Sequence, residues 1–191
     1  RLPPEALSYI YPSRYCQSDV LARLVIGEFA LLPQGYSRVL AIQDWVRRNV
    51  RFESNTSDTS TSALDTIQSG RGVCRDFAHL MIALCRALSI PARFATGIDY
   101  GADPVLGPTD FHAYVEVYLS GGWYIFDPSG TAIPMGFVRF GTGRDAADVS
   151  FATIFGPVQS QAPRIAVHAL ADPLLCWEVP YRREEAISTD V

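Results

Sequence analysis

Residues 70–80 read Gly70-Arg71-Gly72-Val73-Cys74-Arg75-Asp76-Phe77-Ala78-His79-Leu80, a glycine-flanked break that runs straight into a helix with a cysteine in its first turn. The spacing predicts that helix over residues 73–88, ended before Pro91, because the residue ahead of a proline is pushed out of helical geometry. Phe77, Leu80, Met81, Ile82, Leu84, Cys85 and Leu88 cover most of its circumference, so it is expected at the centre of the fold. At the Cys74 position, unpaired N–H groups and the helix dipole favour a thiolate and can receive an oxyanion during attack on a carbonyl. The glycines let the backbone turn and leave room for a substrate beside the sulfur. A cysteine in an apolar helix is otherwise a small buried hydrophobe, the reading that suits Cys85.

Beyond this helix the period changes from helical to alternating. Residues 93–100 and 111–119 read as strands, separated by a Gly/Pro-containing loop at 101–110. In the second, Ala113, Val115, Val117 and Leu119 face one way, and His112, Tyr114, Glu116 and Tyr118 the other. Ser120-Gly121-Gly122 reads as a hairpin turn and residues 123–127 as the return strand, stopped by Pro128. An even-length turn puts His112 and Asp127 on one sheet face as direct or diagonal neighbours, about 5–8 Å apart at Cα. That suits an imidazole held by a carboxylate. Periodicity equally allows a solvent-facing histidine and an Asp-Pro turn initiator. Residues 164–170, which include His168, and 174–179 read as closing strands, and 181–191 as a frayed polar tail.

Before the cysteine helix, residues 1–13 are Pro-punctuated and read as an extended lead-in. Ser18 is placed to cap a helix carrying Leu21, Leu24, Val25, Ile26 and Phe29, closed by Pro33 and Gly35. A second helix from Ser37 carries Leu40, Ile42, Trp45, Val46 and Val50, with Trp45 on its core stripe and Arg47 and Arg48 turned to solvent. A polar loop at 53–61 follows, then a short helix over 63–69, capped by Ser62 and stopped by Gly70.

Composition narrows the function classes. The 191 residues suit one domain, and 48% hydrophobic content excludes intrinsic disorder. A net charge of −4 without a basic block argues against nucleic acid as a partner. The longest apolar run, residues 80–85, is far too short for a membrane span, and no signal peptide opens the chain. The first residue is not Met, which reads as a trimmed start that hides the native address, with the cytoplasm as the default. Cys16, Cys74, Cys85 and Cys176 form no C-x-x-C pair, so no zinc knuckle is expected, and no calcium loop, phosphate loop or dinucleotide fingerprint is present.

Taken together, several segments resemble the transglutaminase-like superfamily, in particular its bacterial branch of candidate cysteine proteases. They are the 70–80 segment and Cys85-Arg86-Ala87-Leu88-Ser89-Ile90-Pro91-Ala92-Arg93, then Asp110-Phe111-His112-Ala113-Tyr114-Val115-Glu116-Val117 and Gly122-Trp123-Tyr124-Ile125-Phe126-Asp127-Pro128-Ser129. Two flanking pieces, Pro12-Ser13-Arg14-Tyr15-Cys16-Gln17-Ser18-Asp19 and Gly143-Arg144-Asp145-Ala146-Ala147-Asp148-Val149, extend the likeness across residues 11–150. The resemblance implies an α+β, papain-like core with the nucleophile helix packed on an antiparallel sheet, and a Cys74–His112–Asp127 triad. It also departs from the family, which commonly carries Trp where Tyr114 stands, so an altered pocket is expected with Tyr114 and Trp123 as its candidates. An amino-terminal β-rich domain, frequent in that branch, has no counterpart here. Calcium, needed by animal transglutaminases, is not carried over to a bacterial-type chain, and no cofactor is expected.

The resulting expectation is a single catalytic domain over 1–191, with residues 151–191 supplying closing strands and a tail. It would be an acyl-transfer enzyme acting on a protein or peptide, cleaving a peptide or glutamine-type amide through a thioester, with hydrolysis favoured. A crosslinking transglutaminase and an inactive binding module on the same fold are the alternatives. Gln17 is the oxyanion candidate, with a loop or capping role as its plain reading. His79, about 140° around the helix from Cys74, is expected to point away from the thiol. Asp76 is read as a helix-start residue, its charge partly opposing a thiolate. Residues around Asp145 and Asp148 are placed to wall the cleft.

Overall fold

The cysteine helix forms where its periodicity places it. In the computed structural model, which describes residues 2–101, 110–150, 152–159, 161 and 163–190, this helix spans Cys74–Ala87, and every residue from Asp76 to Arg86 is buried. We number it α5. It is preceded by α1 (Pro4–Leu7), α2 (Ala22–Phe29), α3 (Tyr36–Asn49), β1 (Arg51–Phe52), α4 (Ala63–Ser69) and β2 (Arg71–Gly72). It is followed by β3 (Ala92–Asp99), β4 (Phe111–Leu119), β5 (Gly122–Phe126) and β6 (Phe137–Gly143).

α5 touches α2, α3 and α4 as well as β3 and β4, so it is covered on several sides. Val25, Phe29, Ile42 and Val46 from the helices, and Phe94, Val115 and Val117 from the sheet, form one continuous core with it. A helix apolar all round is stable only when covered in this way. Cys85 sits in that core with no solvent exposure. Cys85→Ala is expected to lower the free energy of unfolding by about 1 kcal/mol through a small cavity. Urea denaturation should register this as a lower midpoint at unchanged slope.

The sheet is antiparallel in the order β5-β4-β3-β6. Ser120 and Gly121 both take positive φ, 50° and 98°, the two-residue turn whose twist matches the flanking strands. The β4–β5 register runs from Leu119↔Gly122 to Val115↔Phe126. Continued by one pair it sets Tyr114 opposite Asp127 and makes His112 their diagonal neighbour, at the open end of the hairpin. β3 and β6 shift register between Thr96 and Gly97, where a Cβ on Gly97 would stand 2.0 Å from the Val138 carbonyl oxygen. Only glycine lets β6 approach there.

β1 and β2 pair in parallel and hold the segment just before the cysteine. Arg51 N–H donates to Gly70 O at 2.9 Å and Glu53 N–H to Gly72 O at 3.0 Å. Ser62 caps α4 as expected, with Asp65 returning a bond to the Ser62 N–H at 2.9 Å.

Several local expectations give way. The lead-in contains a helical turn, α1, with Pro4 at its start, where a missing N–H costs nothing. Ser18 caps nothing: it is buried in a turn, its N–H on the Cys16 carbonyl, and α2 begins only at Ala22. β6 was not anticipated. No strand forms among the described residues of 164–170 or 174–179; there is one isolated bridge, Asp172↔Trp177. The end of the tail is not frayed, because residues 187–190 lie along β5. Ile125 N–H donates to Ile187 O at 3.0 Å, Thr189 N–H to Trp123 O at 2.8 Å, and Trp123 N–H to Asp190 Oδ2 at 2.8 Å. Apart from Gly101 and Asp110, the loop at 101–110 lies outside the described residues.

Candidate active site

Cys74 is the first residue of α5 and is partly exposed, whereas Cys16 and Cys85 are buried and Cys176 is exposed. Burial pushes the Cys16 and Cys85 thiols up to about 12, which makes both inert at neutral pH. The residue before Cys74 is Val73, which has no acceptor of its own, so the helix start is held from the other side. Asp76 Oδ2 accepts the Val73 N–H at 2.8 Å, and Asp76 Oδ1 accepts the Ser57 hydroxyl at 2.8 Å. The buried Asp76 carboxylate is thus bound to the helix entry and the 53–61 loop, with Arg75 Nε at 3.6 Å balancing its charge.

His112 opens β4 and Asp127 follows β5, so both lie at the end of the hairpin nearest the start of α5. His112 Nε2 faces Asp127 Oδ1 at 3.4 Å, and the ring and the Cys74 thiol line the same cavity. With Nε2 on the carboxylate, Nδ1 is the nitrogen left for the sulfur. Burial alone would depress the imidazolium, but the bonds to Asp127 and Cys74 and their charges prevail and raise its pKa to about 10. For Asp127, burial opposes the charge, yet His112, Ser129 and Ala132 together hold the carboxyl below its usual range. Its oxygens accept Ser129 Oγ at 2.6 Å, Ser129 N–H at 3.1 Å and Ala132 N–H at 3.0 Å. Arg47 Nη2 donates to the Asp127 carbonyl at 2.6 Å, so this exposed arginine anchors the loop and is not simply solvated.

The thiol and the imidazole open onto a cavity of about 600 Å³. Phe94, Ala113, Ala146 and Val149 give it apolar walls, and Arg14 and Arg75 lie among its lining residues. One wall joins the two flanking pieces. Tyr15 N–H donates to Asp145 Oδ2 at 3.0 Å across 130 residues, and Ala147 N–H to Asp145 Oδ1 at 2.9 Å. Arg86, almost fully buried, donates to Tyr11 O at 3.1 Å, Ser13 Oγ at 3.0 Å and Arg144 O at 2.5 Å. His79 is buried beneath this wall: Nε2 accepts Ala146 N–H at 3.2 Å, and the ring stacks on Tyr15 with centroids 5.0 Å apart. Burial drives its pKa down to about 3, so it is a neutral structural histidine.

Three other candidates lie away from the cavity. Trp123 stands at the turn end of the hairpin, four residues and about 13 Å from Asp127. There it packs on Arg93 at 3.9 Å and edge-on to Tyr9, so it is no pocket residue. Tyr114 is fully buried behind the sheet with Ala95, Ile125 and Ala132. Its ring meets His112 edge-on at 4.6 Å, and its hydroxyl donates to Asp99. Gln17 is half-buried next to the buried Cys16; its Oε1 is buried without a hydrogen-bond partner and it does not line the cavity. The sequence reading missed Ser129, Asp99, Arg86 and Arg47. Ser129 alone carried a signal, the Asp-Pro-Ser order in which an aspartate accepts from the residue two further on. Among the described residues, no group of three or more His, Cys, Asp or Glu side chains could hold a metal ion.

The fold is that of cysteine-dependent enzymes, a cysteine-bearing helix against an antiparallel sheet. The chain belongs to the transglutaminase-like superfamily, whose family model matches residues 26–128, a span that includes Cys74, His112 and Asp127. It is 34% identical over 146 residues to an uncharacterised protein of Mycobacterium leprae, covering 74% of this chain and 52% of that one. It is similar to a solved structure of a candidate cysteine protease from Cytophaga hutchinsonii, with 44% identity and a TM-score of 0.78, over 87% of this chain and 61% of that one. The periplasmic domain of TgpA from Pseudomonas aeruginosa, bound to ethylmercury, shares the fold at 20% identity and a TM-score of 0.54, over 70% of this chain and 51% of that one. The chain thus spans about half the length of the curated relative. No helix among the described residues is long and apolar enough to cross a membrane.

Proposed function

We propose that this protein is a thiol-dependent acyl-transfer enzyme that hydrolyses a peptide or glutamine-type amide, with residues 11–150 as its catalytic unit. The observation that carries the reading is that Cys74 and His112 line one cavity, with the Asp127 carboxylate 3.4 Å from the far side of the ring. His112 holds the proton taken from the thiol while the sulfur bonds the carbonyl carbon, and first-turn N–H groups of α5 receive the oxyanion. The carbon–nitrogen bond then breaks, the amine leaves with the proton from His112, and a thioester remains on Cys74. Water, giving its proton to His112, attacks the thioester and releases the acid and the free thiol. Asp127 holds the ring and its positive charge throughout. Likeness to the Cytophaga protein favours hydrolysis. An amine entering in place of water would make the same site a transglutaminase.

Alkylation followed by intact-mass measurement separates an enzyme from an inactive module. With Cys16 and Cys85 buried, exposed Cys176 serves as the internal reference. At neutral pH iodoacetamide is expected to label Cys74 well ahead of Cys176; labelling no faster than Cys176 would favour the module. Peptide and glutamine substrates with and without a primary amine then distinguish water from amine as the acceptor.

A further inference from the structure

The cavity beside the thiol has an uneven charge balance. Its interior is apolar, with Phe94, Ala113, Ala146 and Val149 among its lining residues, and the charged residues that line it besides His112 are Arg14 and Arg75. No carboxylate lines it among the described residues. The carboxylates nearby are committed elsewhere. Asp76 is buried on Val73 and Ser57, Asp145 on Tyr15 and Ala147, and Asp148 is paired with Arg144. Asp58 accepts from Ser60 and Thr61.

Of the two, Arg75 is paired with the buried Asp76, which leaves Arg14 as the unbalanced cation among the described residues. Arg14 is exposed, makes no ion pair among the described residues, and lies over the Tyr15 ring at 5.1 Å. Arg75 Nη2 donates to two uncharged acceptors, the Ser57 hydroxyl and the Asp58 carbonyl, both at 2.5 Å. Its Nε has no hydrogen-bond partner and faces Asp76 only at 3.6 Å. This surplus stands in a chain whose net charge is −4, so it is a local feature and not a general basic character.

We propose that this cavity selects substrates that place an apolar side chain inside it and a carboxylate against Arg14 and Arg75, next to the scissile bond. The carboxylate is either an Asp or Glu side chain or the end of a peptide. The proposal rests on the acyl-transfer reading and names the substrate class of that site. The apolar walls recover hydrophobic burial. The rim arginines act where partial desolvation strengthens a charge pair and where long-range attraction speeds encounter.

The test uses C-terminally amidated peptides with one apolar core and Glu, Gln or Lys beside it, plus a Gln peptide with a free C-terminal carboxylate. At low salt, kcat/KM is expected to fall in the order Glu, Gln, Lys, by about three- to tenfold between Glu and Gln. The preference should shrink in about 0.5 M salt, as screened surface charge must. In Arg14→Glu the rim loses its net positive charge, and the Glu-to-Gln ratio is expected to fall to about one. Arg14 is exposed and its side chain makes no hydrogen bond or ion pair among the described residues, so circular dichroism should show the variant folded. If the free-carboxylate peptide matches the Glu peptide, the terminal group is the one read; if it matches the amidated Gln peptide, the side chain is. Equal rates for Glu and Gln, or an unchanged ratio in Arg14→Glu, would overturn the proposal. Fluorescence-anisotropy binding of the same peptides to Cys74→Ser keeps the two readings apart. Acidic preference in binding without wild-type turnover removes the acyl-transfer reading alone; turnover without preference removes the selectivity alone.

Discussion

Cys74→Ala is expected to abolish turnover, a loss on the order of 10⁴-fold or more, while leaving the fold intact. The loss follows from chemistry, since the covalent step has no nucleophile without the sulfur and His112 has no proton to accept. The intact fold follows from position. Residue 74 is the first of α5 and only partly buried, the core begins at Asp76, and alanine is the best helix former. Cys74→Ser keeps the shape and offers a hydroxyl, yet His112 is matched to a thiol, so its activity should be nearly as low. The measurement is kcat for a cleaved peptide beside the thermal midpoint of each variant. Wild-type-like turnover in Cys74→Ala would sink the mechanism, whereas lost turnover with a collapsed midpoint would point to folding instead.

Asp127→Asn should cost about 10²- to 10⁴-fold in kcat with little change in KM. The fall should be smaller than for Cys74→Ala, because an amide oxygen still accepts from the imidazole. The pH profile carries the sharper signature. His112 stands at about 10 because the bonds and charges of Asp127 and Cys74 outweigh its burial. Take the Asp127 charge away and the imidazolium loses its proton earlier, so the basic limb of the profile moves to lower pH. Asp99 and Tyr114 also face this ring, but Ile133 N–H and the Tyr114 hydroxyl occupy Asp99. Glu116, on the same strand face, is bound between Arg93 and Arg139, so it offers no replacement orienter.

The same substitution has a stability consequence whose sign is fixed by the shifts. The raised His112 pKa stabilises the fold fully below about 6.5, and that contribution is lost as pH rises through about 10. The lowered Asp127 pKa stabilises above the ordinary carboxylate range, and that contribution is lost as pH falls through its depressed value. The gap between wild type and Asp127→Asn should therefore be widest near neutrality and close toward acid. An unchanged basic limb with near-normal rates would mean that Asp127 does not orient His112.

What could be read in advance was local. The fully apolar circumference of 73–88, the Ser62 cap and the Ser120-Gly121 turn are each set by neighbouring residues. The hairpin register then carried His112 to Asp127 without tertiary knowledge. β6 escaped because Gly141, Thr142 and Gly143 give no alternation, and its pairing with β3 depends on the bulge at Gly97. Residues 164–170 alternate convincingly, but alternation makes a strand only when it is paired with an edge; they pair with none among the described residues, and residues 187–189 lie along β5. Trp123 is a pocket candidate from the family resemblance; the stacking of Arg93, held by Glu116, fixes it at the far end of the hairpin. The cavity wall was foreseen near Asp145, yet its union with Tyr15 across the chain had no local trace.

α5 holds the Cys74 sulfur at one end and, twelve residues or about 18 Å along, the guanidinium that clasps the Tyr11–Ser13 stretch and Arg144 at the other. Between them His79 receives the Ala146 N–H. On the proposed function, chemistry and recognition are thus mounted on one stiff rod, and neither can drift without the other. A substrate that presses outward on the wall loads the Arg86 anchorage instead of opening the gap to the thiol. Precision at the sulfur is in this sense set from the opposite end of the molecule's central beam.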